Sequence, residues 1–318
     1  MDSTHRWATE REEQKAQAKR EELIEHMVRA LPEDGSAEPL EGLLLSRASA
    51  PTELGHSVFF PAFCVIAQGH KEILLGENRY WYHPAQYLIS TAELPIASRI
   101  TEASPERPYL NVILKLDSRL VSSVMVEAGH GAPLNQSLVT AIDVSPLDTG
   151  LLDAVLRLVT LLDSPSDAGF LAPMVTREIV YRLLKGAQRS RLAYIAALGS
   201  NTQRITEAIT RLRNEFNQPL RIEAVARELG MSVSGFHHHF KTFTAMSPLQ
   251  FQKQLRLQEA RRLMLGEGLD AASAGYRVGY DDASYFNREY KKLFGAPPVR
   301  GVERLREGAN EHVGQGIV

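Results

Sequence analysis

The spacing of hydrophobic positions changes twice along this chain. Residues 5–30 are mostly polar, which predicts a lightly packed helix that ends before the segment LPEDGSAEPLEG. Between residues 42 and 117, short runs rich in β-branched and aromatic residues alternate with turn signals; examples are HSVFFPAFCVIAQG and YLNVILKLD, separated by GEN, HPAQ and SPERP. This spacing predicts an antiparallel barrel or sandwich.

A helical period returns after Asp117. The segment SPLDTGLLDAVLRLVTLLDSP predicts a helix with Ser145 as N-cap and Pro146 at its first position. Its apolar stripe consists of Leu151, Leu152, Val155, Leu158, Val159 and Leu162. Two interpretations carry equal weight: the stripe packs against the barrel, or it forms the seam of a dimer.

From Ile205 onward the pattern is helical, and the chain resembles itself at an offset of fifty residues. Apolar residues of the first copy, Phe236, Phe240 and Phe243, match Phe286, Tyr290 and Leu293 of the second. On the opposite edge, polar residues match polar residues: Ser234, His237, His238 and Lys241 correspond to Ser284, Asn287, Arg288 and Lys291. Each copy therefore predicts one helix with a buried edge and a polar edge.

The residues before each of these helices predict a tight turn. Gly230 and Gly279 each close a short helix, and Ser232 and Asp282 then provide N-caps. Helix, glycine turn and helix form the helix-turn-helix motif, whose second helix enters the DNA major groove. The segment SPLQFQKQLRLQEARRLML, residues 247–265, predicts one continuous helix between the two units.

These segments, and the VGYDDASYFNREYKKLFGAPPVR that follows, resemble the DNA-binding domain of AraC/XylS regulators over residues 201–300. Residues PAFCVIAQGHKEILLGENRYWYHPAQYLISTAELPIASRITEASPERPYL are similar to the barrel-type, cupin-like sensor domain of one branch of that family. Two glycines lie at positions where the helical pattern or the family resemblance predicts another residue. Gly235 lies in a predicted helix interior, and Gly275 stands where the family usually has alanine.

The resemblance implies a sequence-specific DNA-binding transcriptional regulator, an activator, controlled by a small molecule or by dimerisation. The residues it implies as base contacts are Ser234, His237, His238, Ser284, Tyr285, Asn287 and Arg288. Expected phosphate contacts are Arg221, Lys241, Lys291 and Lys292. His239 lies toward the phenylalanine edge and is expected to pack.

A sensor barrel needs an apolar cavity with a few polar groups, for which we expect Phe60, Cys64, Tyr80, Tyr82 and Arg99. Cys64 lies in the apolar segment FCVIAQ, so burial is expected to keep it inert. Sensing of electrophiles by this thiol stays open as an alternative.

The run His237, His238 and His239 is a poor metal site because consecutive helical residues point about 100° apart. The other histidines of the N-terminal part are scattered singly at His56, His70, His83 and His130, and no catalytic motif is present. We therefore expect no enzyme activity, no metal and no cofactor. An enzyme with a DNA-binding appendage and an architectural DNA-binding protein remain as alternatives.

Charge and composition add two expectations. Residues 1–200 carry a net charge of −6 and residues 201–318 a net charge of +4, which favours a polyanionic partner for the C-terminal part. The single cysteine and the charged N-terminus are typical of a cytoplasmic protein without a membrane segment. Expected partners are double-stranded promoter DNA, RNA polymerase, an unidentified small-molecule effector and a second copy of the chain.

The predicted fold is an α+β chain of two domains: an antiparallel, cupin-like β-barrel with flanking helices, and an all-α domain of two helix-turn-helix units joined by a linker helix. We divide it into an N-terminal helix and loop (1–40), the sensor barrel (41–117), a helical dimerisation and linker region (118–200), the double helix-turn-helix domain (201–306) and a flexible tail (307–318).

Overall fold

The structure is a computed structural model that describes residues 3–129, 140–196 and 201–313. His130 and residues 197–200 and 314–318 lie outside the described residues. Across the described part of the chain, no helix is both long enough and apolar enough to cross a membrane.

The N-terminal domain is built on two antiparallel sheets, which confirms the predicted antiparallel β fold. Its strands are β1 (Gly35–Leu40), β2 (Leu43–Ala48), β3 (Gly55–Phe59), β4 (Ala62–Gln68), β5 (His70–Leu75), β6 (Asn78–Tyr82), β7 (Gln86–Ser90), β8 (Leu94–Glu102), β9 (Tyr109–Lys115) and β10 (Ile142–Pro146). The six-stranded sheet has the order β1-β2-β9-β4-β7-β10, and the four-stranded sheet has the order β3-β8-β5-β6.

The six-stranded sheet is covered on both faces. Strand β4 lies between β9 and β7, and its side chains alternate between the two sides. Phe63 and Val65 join a core shared with the helices, whereas Cys64 and Ile66 join a core shared with the four-stranded sheet. This double burial explains why the segment is apolar at nearly every position.

The helices of this domain are α1 (Ser3–Ala30), α2 (Ser118–Glu127), α3 (Thr149–Thr160), α4 (Pro165–Lys185) and α5 (Arg189–Ala196). Helix α1 packs more firmly than its polar sequence predicts, because Leu23 and Met27 are fully buried in the core shared by the sheet and the helices. Five of the six predicted stripe residues are also buried there; they are Leu151, Leu152, Val155, Leu158 and Val159. The stripe therefore packs within the subunit and is not free to form a dimer seam.

In the N-terminal domain, two limits of the division and one helix cap differ from the sequence-based predictions. Residues 1–40 contain strand β1 in addition to a helix, and the sheet gains β10 beyond residue 117 because residues 142–146 pair with β7. Ser145 and Pro146 consequently end a strand, and the N-cap of α3 is Asp148, whose side chain accepts a hydrogen bond from the Leu151 amide. Strand pairing outweighed the local capping signal.

The C-terminal domain is helical throughout its described residues. Its helices are α6 (Asn201–Asn214), α7 (Ile222–Glu228), α8 (Val233–Thr244), α9 (Pro248–Gly266), α10 (Ala271–Arg277), α11 (Ala283–Phe294) and α12 (Pro298–Val313). Two helix-turn-helix units, α7–α8 and α10–α11, flank the single linker helix α9, as predicted. Helix α12 continues to Val313, so much of the tail expected over 307–318 is helical.

The first helix-turn-helix unit shares its core with the barrel. Phe236 and Phe240 of α8 belong to the same buried cluster as Ile73 and Tyr82 of the four-stranded sheet. The second unit has a separate core that includes Phe286 and Tyr290. The two units therefore differ in how they attach to the rest of the chain.

Candidate nucleic-acid interface

Helix α8 begins with the predicted cap. The Ser232 hydroxyl accepts a hydrogen bond from the Gly235 amide at 3.1 Å. Gly235 was expected in a helix interior, but it lies in the first turn, and a Cβ there would lie 2.9 Å from the Ser232 hydroxyl. The missing side chain thus leaves room for the capping hydroxyl, and the helix-propensity cost is smaller than an interior glycine would carry.

The two edges of α8 separate as the repeat predicts. Phe236 and Phe240 are fully buried, while Ser234, His238 and Lys241 are exposed and His237 is half-buried. His239 is also half-buried, and burial together with the neighbouring His238 lowers the pKa of its imidazole. The three histidines therefore do not share one exposed face, and the described residues contain no group of three or more metal-ligating side chains.

Helix α11 repeats this arrangement. The Asp282 side chain accepts a hydrogen bond from the Tyr285 amide and caps the helix. Phe286 and Tyr290 are fully buried. Every polar residue predicted to contact DNA from this helix is exposed: Ser284, Tyr285, Asn287, Arg288, Lys291 and Lys292.

Gly275 has a packing role that its sequence position did not reveal. A Cβ at this position would lie 3.0 Å from Cγ of Phe286, so alanine would force α10 and α11 apart by a few tenths of an ångström. The glycine lets the recognition helix approach its partner closely.

Arg288 lies beside the ring of Tyr285. The guanidinium carbon is 5.2 Å from the ring centroid, a distance typical of a cation–π contact. This contact holds the guanidinium on the exposed edge of α11. Such a planar group can donate two parallel hydrogen bonds to guanine.

The linker helix is fixed at its start and at its middle. At its start the Ser247 and Gln250 side chains and backbone amides exchange hydrogen bonds in a capping box. In its middle, Arg256 donates to the carbonyl oxygens of Phe216 (2.6 Å), Gln218 (2.9 Å) and Gly279 (2.7 Å). Arg256 therefore joins α9 to the segment between α6 and α7 and to the turn of the second unit. No local sequence signal marks Arg256, because all three acceptors are backbone atoms distant in sequence.

Arg221 occupies the N-cap position of α7 and is exposed. Its side chain makes no capping hydrogen bond. The Arg221 side chain is therefore an exposed positive charge at the start of the first unit.

The barrel residues predicted to form a pocket separate into two groups. Cys64 and Tyr82 are fully buried between the sheets, with Phe60 and Tyr80 packed against the same cluster. Arg99 is absent from this group because it pairs with Glu72, at 2.5 Å between Nε and Oε2, on the outer face of the four-stranded sheet. Period-two alternation places it there, since the neighbouring inner positions belong to the core.

A charged group on the inner side is Lys71, which is not among the pocket residues predicted from the sequence. It pairs with Tyr82 across strands β5 and β6, and burial lowers the pKa of its amine. Burial also raises the pKa of the nearby Cys64 thiol to about 12. A thiol with this pKa is almost entirely protonated at neutral pH, which supports the inert interpretation of Cys64.

Two family models cover most of the chain. Residues 39–191 match the model described as AraC-type transcriptional regulator N-terminus, and residues 225–301 match a helix-turn-helix domain model. The chain belongs to the AraC family. Both matches agree with the resemblance derived from the sequence.

Two curated relatives are matched over about half of their length. The regulator ArgR of Pseudomonas aeruginosa is 27% identical over 157 residues, which cover 49% of this chain and 48% of ArgR. The activator RhaS of Salmonella paratyphi B is 29% identical over 163 residues, covering 51% of this chain and 57% of RhaS. The chain thus spans about half the length of these relatives, both of which are named as transcriptional regulators.

The solved structure of ToxT from Vibrio cholerae has a similar fold. One of its crystal forms superposes with a TM-score of 0.53, covering 85% of this chain and 98% of ToxT at 10% sequence identity. At this identity the likeness concerns the fold alone. It includes the order of an antiparallel β domain followed by a helical domain.

Proposed function

We propose that this protein is a sequence-specific DNA-binding transcriptional regulator whose two helix-turn-helix units read neighbouring major grooves. The proposal rests on one observation. Two capped helices, α8 and α11, each bury an aromatic edge and expose a polar edge, and the single linker helix α9 joins the two units to which they belong. Consecutive major grooves on one face of DNA are about 34 Å apart, so the proposal requires α8 and α11 to lie at about that separation on the DNA; one chain then engages an asymmetric site.

In this proposal the exposed edges supply the base contacts. Ser234, His237 and His238 read the first half-site, and Ser284, Tyr285, Asn287 and Arg288 read the second. Asn287 matches the adjacent N6 and N7 groups of adenine, and Arg288 matches O6 and N7 of guanine. Arg221, Lys241, Lys291 and Lys292 contact phosphates and fix the register.

The barrel is proposed as the sensor, with the hydrophobic cluster that contains Phe60, Cys64, Tyr80 and Tyr82 as the effector site. Lys71 replaces Arg99 as its candidate polar group. One ToxT structure is described as bound to an unsaturated fatty acid, which supports control by a small molecule in a protein of this fold. The name of RhaS supports activation over repression. Contact with RNA polymerase, formation of a homodimer and the absence of enzyme activity belong to the same proposal.

Selection of preferred DNA sites by the full chain tests this function. We expect His238→Ala to change the preference at one or two base pairs of one half-site, by about 1–3 kcal/mol of discrimination. Lys241→Ala is the matched comparison from the same helix. It should weaken all sequences alike and reduce the salt dependence of binding by about one counterion.

Two results would contradict the proposal in different ways. An unchanged motif for His238→Ala removes this residue from the base contacts. Equal affinity of the unmodified chain for selected and random DNA rejects sequence-specific regulation and favours architectural binding.

A further inference from the structure

The turn between β5 and β6 lies against the end of the first recognition helix. Gly76 has a positive φ of 58°, and a Cβ built there would lie 2.3 Å from the carbonyl oxygen of Ala245. Ala245 is itself the left-handed C-cap of α8. The barrel turn and the C-terminal end of α8 are therefore in direct backbone contact.

A second tether holds the same end of α8. The Ala141 amide donates a hydrogen bond to the Phe243 carbonyl at 2.9 Å, and the Ala141 carbonyl accepts one from the Thr91 amide at 2.9 Å. Phe243 is buried in the core shared with the barrel. Because two backbone contacts and a common core fix this end, the turn keeps its place beside α8.

This placement brings an acidic residue of the barrel to the proposed DNA-binding edge. Glu77 and Asn78, both exposed, line one open cleft with His237, His238 and Lys241. Among the described residues the Glu77 carboxylate has no hydrogen bond or ion pair that would neutralise it. A full negative charge thus lies next to the residues proposed to meet bases and phosphate.

We propose that Glu77 is an affinity-determining residue of the DNA-binding surface, contributed by the sensor domain. The inference rests on the proposed function. Phosphates border the major groove at the ends of a recognition helix, and an unpaired carboxylate there repels them and offsets part of the attraction from Lys241. The barrel thereby weakens the DNA contact of the first unit while the turn is seated on α8.

The test measures the affinity of the full-length protein for its selected site at several salt concentrations. We expect Glu77→Gln to tighten binding by about threefold near 0.1 M salt and Glu77→Lys to tighten it further. Both gains should shrink as salt rises, since screening shortens the reach of the charge. The control is Glu41→Gln, which removes the same charge from the exposed turn between β1 and β2 and should leave affinity unchanged.

The outcomes distinguish this inference from the proposed function. If wild-type protein binds its selected site and Glu77→Gln binds equally tightly at every salt concentration, Glu77 has no role and the function stands. An equal gain for Glu41→Gln shows a general charge effect and also overturns the inference. If the wild-type chain selects no site, the proposed function fails first.

Discussion

Single residues at the boundary between barrel and recognition helix are constrained by close backbone contact. Gly76 combines a left-handed φ of 58° with the contact to Ala245 described above. Gly268 has a similar φ of 68°, but a Cβ there would meet nothing within 4 Å. An alanine at Gly268 would carry only the cost of backbone strain, whereas an alanine at Gly76 would carry the same strain and a steric clash in addition.

We expect Gly268→Ala to lower the free energy of unfolding by about 1 kcal/mol, the cost of a left-handed alanine. Gly76→Ala should lower the free energy of unfolding by about 1–3 kcal/mol more than Gly268→Ala, because its methyl group also overlaps the backbone of the helix-turn-helix unit. Urea unfolding of both variants measures the difference. Equal losses would show that the turn and α8 are not packed as described.

At the scale of elements, the linker helix α9 determines how the two units are held. Its start depends on the Ser247 and Gln250 capping box: the Ser247 hydroxyl accepts from the Gln250 amide at 3.2 Å, and the Gln250 side chain accepts from the Ser247 amide at 2.9 Å. Lys253 on α9 pairs with Glu289 on α11 at 2.5 Å. Local capping and long-range pairing therefore act on the same helix.

Ser247→Ala removes one half of the capping box. We expect a loss of about 1 kcal/mol in the free energy of unfolding, the usual value for an N-cap serine. Ser118→Ala, at an exposed position in the first turn of α2 and outside any capping bond, should change stability by less than about 0.5 kcal/mol. Chemical denaturation of the two variants compares them, and similar values would refute the role of the box.

At the scale of the whole molecule, the barrel also reaches the second unit. The rings of His56 on β3 and Phe294 on α11 contact edge to face at 5.0 Å between centroids, and Arg261 lies 4.3 Å from the Phe294 centroid. Burial, with a smaller contribution from the Arg261 charge, lowers the pKa of His56 from 6.5 to about 4. The folded structure therefore favours the neutral form of the His56 imidazole.

This pKa predicts a loss of stability in acid. The unfolded chain binds a proton at His56 below pH 6.5, while the folded chain resists protonation until about pH 4, so stability falls as the pH drops through this window. Between pH 7 and pH 5 we expect His56 to contribute a loss of up to about 2 kcal/mol. His56→Gln should lose correspondingly less over the same range in urea unfolding, and parallel pH profiles for the two proteins would contradict the assignment.

Local sequence signals predicted the elements whose start, end and buried face depend on residues within one helix or one turn. The aromatic repeat placed α8 and α11, Gly230 and Gly279 marked their turns, and Ser232 and Asp282 marked their caps, because capping and amphipathic spacing act over fewer than ten residues. The exposed position of the predicted DNA-contacting residues other than the half-buried His237 follows from the same spacing. Hydrophobic spacing alone does not distinguish the first turn of a helix from its interior, which is why the prediction for Gly235 is wrong.

The features that local signals did not predict depend on pairing and packing between segments far apart in the sequence. The sequence by itself determined the class of fold, the two helix-turn-helix units and the polar edges that we propose meet DNA. Only the tertiary structure decided that β10 joins the sheet, that Arg99 turns outward while Lys71 lies inside, and that Glu77 reaches the end of α8. Each of these depends on strand register or on docking between residues far apart in sequence, and a one-residue change of register reverses the face to which a side chain belongs.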